Sequence, residues 1–328
     1  MTNQTKRVVS LIASATEIVC ALGAHDLLVG RSHECDFPPD VTRLPSLTEP
    51  KFPVSGTSYD IDVRVKAILQ EGLSVYRVDA EKLEGLRPDI VVTQDHCEVC
   101  AVSLKDVEAA LYAWSGRQVE IISLKPDSLA DIWEDIAKVA CALGCERQGK
   151  RLVKQLKERM ATIAKQSAAA RTHPRAAMIE WIDPLMAGGN WMPELVSIAG
   201  GENLFGAPSQ PSPWLDWNQL VAADPDIILV HPCGFDIERT LEEMPVLETR
   251  SGWRELKAVQ RDRVFVADGN QYFNRPGPRI VESLEILAEI FHPESFPSRY
   301  EGKGWIRYRA EPKVEKKSRC SESTRGLN

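Results

Sequence analysis

The chain has 328 residues, 43% of them hydrophobic, with a formal net charge of -7 and a pI near 5.5. That length suits two domains, and the acidic balance argues against a nucleic-acid or anionic-membrane partner. No apolar run is long enough to cross a bilayer. No Gly-x-Ser-x-Gly elbow, Walker A loop, Rossmann glycine fingerprint or His-Glu-x-x-His motif marks an enzyme.

The elements follow in chain order. Val8 to Ala13 is a short apolar run, broken at Ser14-Ala15-Thr16-Glu17. A signal peptide would carry a longer apolar core and a small-residue cleavage site. The run therefore reads as a first strand, and a cytoplasmic location is expected. Ser14 and Glu17 have capping-box spacing and predict a helix start. Leu27 to Gly30, Ser74 to Val78, Asp89 to Thr93 and Val119 to Ser123 read as further strands, with a short helix over Leu83 to Leu86. Strand–helix alternation predicts a largely parallel sheet. A helix is expected from Asp127 to Gly144. A second, from Glu146 to Ala170, places Leu152, Val153, Leu156 and Met160 at helical spacing opposite a basic face. The alternation resumes with strands over Ala176 to Trp181, Asp226 to Val230 and Arg263 to Val266. Helices open at Trp191 and Pro278, and the composition turns polar after Pro297.

The predicted fold class is α/β, with two Rossmann-like lobes of largely parallel sheet, a single long backbone helix between them and a ligand cleft between the lobes. The expected division is an N-terminal lobe over 1–125, a helical linker over 126–172, a C-terminal lobe over 173–295 and a flexible polar tail over 296–328.

Three loops concentrate one kind of chemistry: Ser32-His33-Glu34-Cys35-Asp36, Gln94-Asp95-His96-Cys97-Glu98-Val99-Cys100 and His231-Pro232-Cys233-Gly234. Each follows a predicted strand, and ligands of open α/β sheets bind beyond the carboxyl ends of strands. The first two loops belong to one half of the chain and the third to the other, which places a shared cleft between the lobes. Trp181, Trp191, Trp214, Trp217, Tyr272 and Phe273 fall at strand ends or in loops, as a wall for a flat apolar ligand requires. The expected ligand-binding residues are His33, Glu34, Asp36, His96, Trp181, Asp183, Trp191, His231, Tyr272 and Phe273. Eight Cys in a chain without an export signal point to metal or catalysis more than to disulfides. Cys97 and Cys100, with His33 and Cys35, form an alternative set for zinc or another soft metal. The Cys-x-x-Cys pair also suits redox chemistry or a purely structural role.

Val8-Val9-Ser10-Leu11-Ile12-Ala13-Ser14-Ala15-Thr16-Glu17 with Ala21-Leu22-Gly23 resembles the opening of the periplasmic binding proteins for cobalamin and iron-siderophores. Cys35-Asp36-Phe37-Pro38-Pro39 resembles the next loop of the cobalamin-binding members. Leu86-Arg87-Pro88-Asp89, the turn Ala199-Gly200-Gly201-Glu202-Asn203 and Asn274-Arg275-Pro276-Gly277-Pro278-Arg279 are similar to later family segments, all in order from about Arg7 to Ile290. The resemblance implies two lobes on one backbone helix, little hinge closure, a cobalamin or other corrinoid as ligand, and an ABC transporter permease as partner. It also implies an acidic docking residue on each lobe, matched by Glu202 and by Asp62. The His-Glu-Cys-Asp and Cys-x-x-Cys loops and an insertion from Lys66 to Leu86 are not general family features.

Overall fold

The computed structural model describes residues 6–71, 74–94, 107–108 and 119–309. In the first lobe the strands β1 (Val8–Ser10), β2 (Leu28–Arg31), β5 (Ile90–Gln94) and β6 (Glu120–Leu124) form a parallel sheet in the order β2-β1-β5-β6. Val8, Val9, Val91 and Val92 are buried on both faces, which is why these segments read as unbroken apolar runs. In the second lobe β7 (Arg175–Trp181), β10 (Ile227–Val230) and β11 (Val264–Ala267) are parallel, and β8 (Met186–Ala187) and the short β9 (Glu202–Asn203) flank β7.

The lobes are joined in sequence by a helical hairpin, α4 (Leu129–Leu143) and α5 (Glu146–Ala168). Ser128 and Asp131 form the capping box of α4, and Gly144 ends it in the left-handed conformation. A Cβ on Gly149 would lie 2.5 Å from that of Ala140, so α4 and α5 approach closely only because Gly149 lacks one. The hairpin packs against α1 (Ala13–Ala21) on one side and against α6 (Met192–Ile198) and α10 (Ile280–Phe291) on the other. Among the described residues no strand pairing crosses between the two main sheets. One apolar cluster runs through both lobes, from Val8 and Ile18 through Ile132, Leu156 and Leu195 to Leu284 and Trp305.

Three expectations are corrected. The Ser14–Glu17 capping box does not form: Ile12 occupies the cap, and Ser14 and Glu17 are buried two residues deeper in α1. A tight strand-to-helix turn starts the helix early, and Glu17 finds partners in the other lobe. The strand at Ser74 to Val78 is shortened to β4 (Tyr76–Val78), which leaves the parallel sheet and pairs antiparallel with β3 (Thr48–Pro50) in a separate two-stranded sheet. The stretch after Pro297 does not fray at once: β12 (Trp305–Arg307) pairs antiparallel with β11 at the sheet edge. Trp305 is buried, and its indole N–H donates to Glu289 at 2.9 Å. The second lobe thus extends beyond 295.

Candidate ligand cleft

The lobes face each other through loops at the carboxyl ends of their strands. One end of this contact is ionic. Arg275, on the loop that precedes α10, donates through Nη1 to Asp36 at 2.6 Å and to Glu17 at 3.2 Å. Arg279 lies 3.5 Å from Glu17 and stacks 3.9 Å from the Phe37 ring. Asn270 and Gln271 also donate to Asp36, at 3.1 and 2.7 Å. Two first-lobe carboxylates are therefore gripped by a second-lobe loop.

The two acids differ in environment. Glu17 is 3% exposed, and burial lifts its pKa to about 7 against the pull of Arg279 and Arg275. Burial also acts to raise the Asp36 pKa, but its bonds to Arg275, Asn270 and Gln271 outweigh that and hold it below the usual carboxylate range. The expected site residue Asp36 is thus occupied by a lobe-to-lobe clasp.

The other end is aromatic. His33 and Tyr76 pack with ring centroids 5.2 Å apart, and Tyr76 donates to Glu34 at 3.0 Å. Across from them the Trp181 and Phe235 rings lie 5.2 Å apart, and Tyr76, Trp181 and Phe235 border one apolar cluster. His33 bonds Thr48 through Nδ1 at 2.7 Å. Burial, with a contribution from Arg31, depresses its pKa to about 4, so the ring is neutral at pH 7. Burial raises the Glu34 pKa despite the Tyr76 hydrogen bond.

Other expected residues sit deeper or elsewhere. Trp191 is buried in the apolar cluster, and its N–H donates to the Phe273 carbonyl at 2.8 Å. Phe273 is fully buried, with its ring 4.9 Å from His231. His231 is fully buried too, and neither ring nitrogen has a hydrogen-bond partner among the described residues. Burial takes its pKa down to about 3. Trp191 and Phe273 are therefore core residues beneath the contact and not an exposed wall. Asp183 lies 3.4 Å from Arg250 of its own lobe. Tyr272 lies under Arg279, 4.7 Å away, at the ionic end.

Of the expected metal set, only His33 and Cys35 fall among the described residues. His96, Cys97 and Cys100 lie outside the described residues. Cys35 turns into the first-lobe core, where the Thr16 hydroxyl donates to its sulfur at 3.0 Å. Burial pushes this thiol up to about 11, which disfavours the thiolate a metal needs. No cluster of three or more His, Cys, Asp or Glu placed to hold a metal occurs among the described residues. Of the two residues expected to dock a transporter, Glu202 is well exposed. Asp62 is mostly covered and pairs with Lys66 at 2.8 Å, so it does not present a free carboxylate.

Sequence reasoning missed Glu17, Arg275, Arg279, Asn270, Gln271, Tyr76 and Phe235. The segment Asn274 to Arg279 stands out as a motif, but only the fold shows which first-lobe acids its arginines meet.

A family model described as periplasmic binding protein matches residues 8–270. The chain is 24% identical over 301 residues to an uncharacterised ABC transporter substrate-binding lipoprotein, YvrC, of Bacillus subtilis, covering 89% of this chain and 82% of that protein. It is 23% identical over 287 residues to the vitamin B12-binding protein of Photorhabdus laumondii, covering 86% of each. Among solved structures, a periplasmic heme-binding protein from Pseudomonas aeruginosa superposes with a TM-score of 0.69 at 21% identity, covering 93% of this chain and 99% of that one. The vitamin B12-binding protein BtuF of Vibrio cholerae gives 0.61 at 21% identity, covering 87% and 96%.

These matches overturn the expected cytoplasmic location, since the family and these relatives are periplasmic or lipoprotein binding proteins. Neither the cysteine count nor the pattern of the first strand decides the compartment. The family binds substrates and does not transform them. With the match spanning most of the chain and the two-lobed fold agreeing, this protein belongs to the periplasmic binding protein family.

Proposed function

We propose that the chain binds a metallated macrocycle, a corrinoid or a heme, between its lobes and presents it to an ABC transporter permease. The observation that carries this reading is the composition of the lobe-to-lobe contact. Aromatic rings at one end, Tyr76, Trp181 and Phe235, suit a flat apolar face. The ionic clasp of Asp36, Arg275 and Arg279 at the other end holds the two lobes together beside them. Relatives named for vitamin B12 and fold neighbours named for heme support the same two ligands.

Titration of the purified protein with cyanocobalamin and with hemin, followed by absorbance and calorimetry, tests the proposal. Saturable one-to-one binding of either is expected, and failure of both would end it. Trp181→Ala should weaken the ligand that binds by about fivefold or more, since one aromatic contact contributes about 1 kcal/mol. An unchanged affinity in that variant would remove Trp181 from the wall.

A further inference from the structure

We propose that the helix α2 (Ser58–Gln70) is a lid, carried by the first lobe and latched onto the second by Glu243, and that its release admits and frees ligand. This rests on the reading of the inter-lobe contact as the ligand site.

The case begins with what α2 buries. Only Ser58, Ile61 and Val65 of this helix are buried. They do not join the core of their own lobe. Ile61 and Val65 cluster instead with Val75 and with Phe235 of the second lobe, and Trp181 packs at the edge. The apolar stripe of α2 thus closes a small cluster that spans the lobes, with Phe52, Val75 and Tyr76 from the first and Phe235 and Trp181 from the second, over the aromatic end of the contact.

The latch is polar and specific. Glu243 lies in α8 (Ile237–Glu248) of the second lobe and is 3% exposed. Its Oε1 accepts from the Ser58 backbone N–H at 3.1 Å, and its Oε2 accepts from the Ser58 hydroxyl at 2.9 Å. A carboxylate is favoured there, because the first turn of a helix leaves amide donors free at its positive end. Arg239 holds the carboxylate at 2.7 Å, donates to the Gly56 carbonyl ahead of α2, and stacks 4.5 Å from Phe235. Further along, Lys66 Nζ lies 4.6 Å from the Trp214 ring.

The tether to the first lobe is local: Arg64 of α2 donates to the Pro53 carbonyl at 2.9 Å, and the Arg31–Ser46 bridge ties the segment before β3 to β2. The segments on either side of α2 lead into β3 and β4, which pair with each other and not with the four-stranded sheet. Lifting α2 would break the Glu243 bonds, the Arg239–Gly56 hydrogen bond, the Lys66–Trp214 contact and one small cluster. Parting the lobes as a whole would strip Arg275 from Glu17 and Asp36 and split the apolar cluster that runs through both lobes. Lid release is therefore the cheaper way to open the aromatic end, while the ionic end stays clasped.

Hydrogen–deuterium exchange of the ligand-free protein, wild type against Glu243→Gln and Ser58→Ala, tests the latch. Amides of residues 58–70 should exchange at least tenfold faster in Glu243→Gln, a change of about 1.4 kcal/mol in local opening. Ser58→Ala should show a smaller effect of the same kind, and β1, β5 and β10 should be unchanged. Stopped-flow release of hemin or cyanocobalamin should accelerate along with α2. Unchanged exchange over 58–70 in both variants would overturn the proposal, as would acceleration spread equally to β10. Unchanged ligand release from a variant whose α2 is loosened would overturn it too. If the wild type takes up neither ligand, the cleft reading fails separately, and acceleration confined to 58–70 still supports a latched lid.

Discussion

Replacing Arg275 with Met should destabilise the protein by about 3 kcal/mol at pH 8, read from urea unfolding. Removing one partner of a buried ion pair generally costs about 3–5 kcal/mol, because the remaining charge stays desolvated. Here Glu17 is buried and retains Arg279 at 3.5 Å, while Asp36 retains Asn270 and Gln271. Those remaining partners place the loss at the low end. The deficit should also depend on pH in a definite direction. The Glu17 pKa is raised from 4.5 to about 7 in the folded protein. Its contribution to stability is therefore fully present below about pH 4.5 and lost as pH rises through about 7. Without Arg275 the ionised form is held less well still, so the variant should lose more at pH 8 than at pH 5.5. Asp36, whose pKa is lowered, stays ionised over that range and keeps part of the deficit at the acid end. A loss below about 1 kcal/mol at pH 8, or a deficit that grows on acidification, would show that the clasp does not hold the lobes.

The second large effect is expected at Trp305. This side chain is 4% exposed, meets Phe265 edge-on with centroids 5.5 Å apart, and donates to Glu289. Trp305→Ala should cost about 4 kcal/mol, within the range of about 3–5 kcal/mol for emptying a buried aromatic site. Glu289 also accepts from the backbone of Arg299 and Tyr300, at 2.8 and 3.2 Å, so the same carboxylate anchors the turn that brings β12 back to the sheet. Equilibrium unfolding measures the change. A near-neutral result would mean that the segment after Pro297 adds no stability.

These two sites show where sequence reading succeeds and where it stops. The strands β1, β5, β7 and β10 are legible because parallel strands buried on both faces leave short apolar runs bounded by polar turns. The start of α4 is legible from Ser128 and Asp131, since a capping box is local. The strand β12 is not, because the flanking Lys, Arg and Glu hide the pair Trp305-Ile306, and its partner β11 lies far away in sequence. The pairing of β4 with β3 is hidden for the same reason. The placement of Asp36 and Trp181 at the contact between lobes is legible because both lie at or beyond strand ends, where the sheets face each other. That of Glu17 is not, since Ser14-x-x-Glu17 imitates a local cap and its true partners, Arg275 and Arg279, lie at the far end of the chain. Cys35 misled in the opposite sense: a Cys beside His33 looks like a metal ligand, while the fold turns it inward against Thr16.

The apolar cluster that joins α1, α4, α5, α6 and α10 means that neither lobe owns a complete interior. Heat should melt the protein in one calorimetric transition, with no plateau for a surviving half. Evolution by lobe exchange is correspondingly hard. A chimaera that took one lobe from a relative only 24% identical would inherit half of a packing arrangement whose other half was shaped for different side chains.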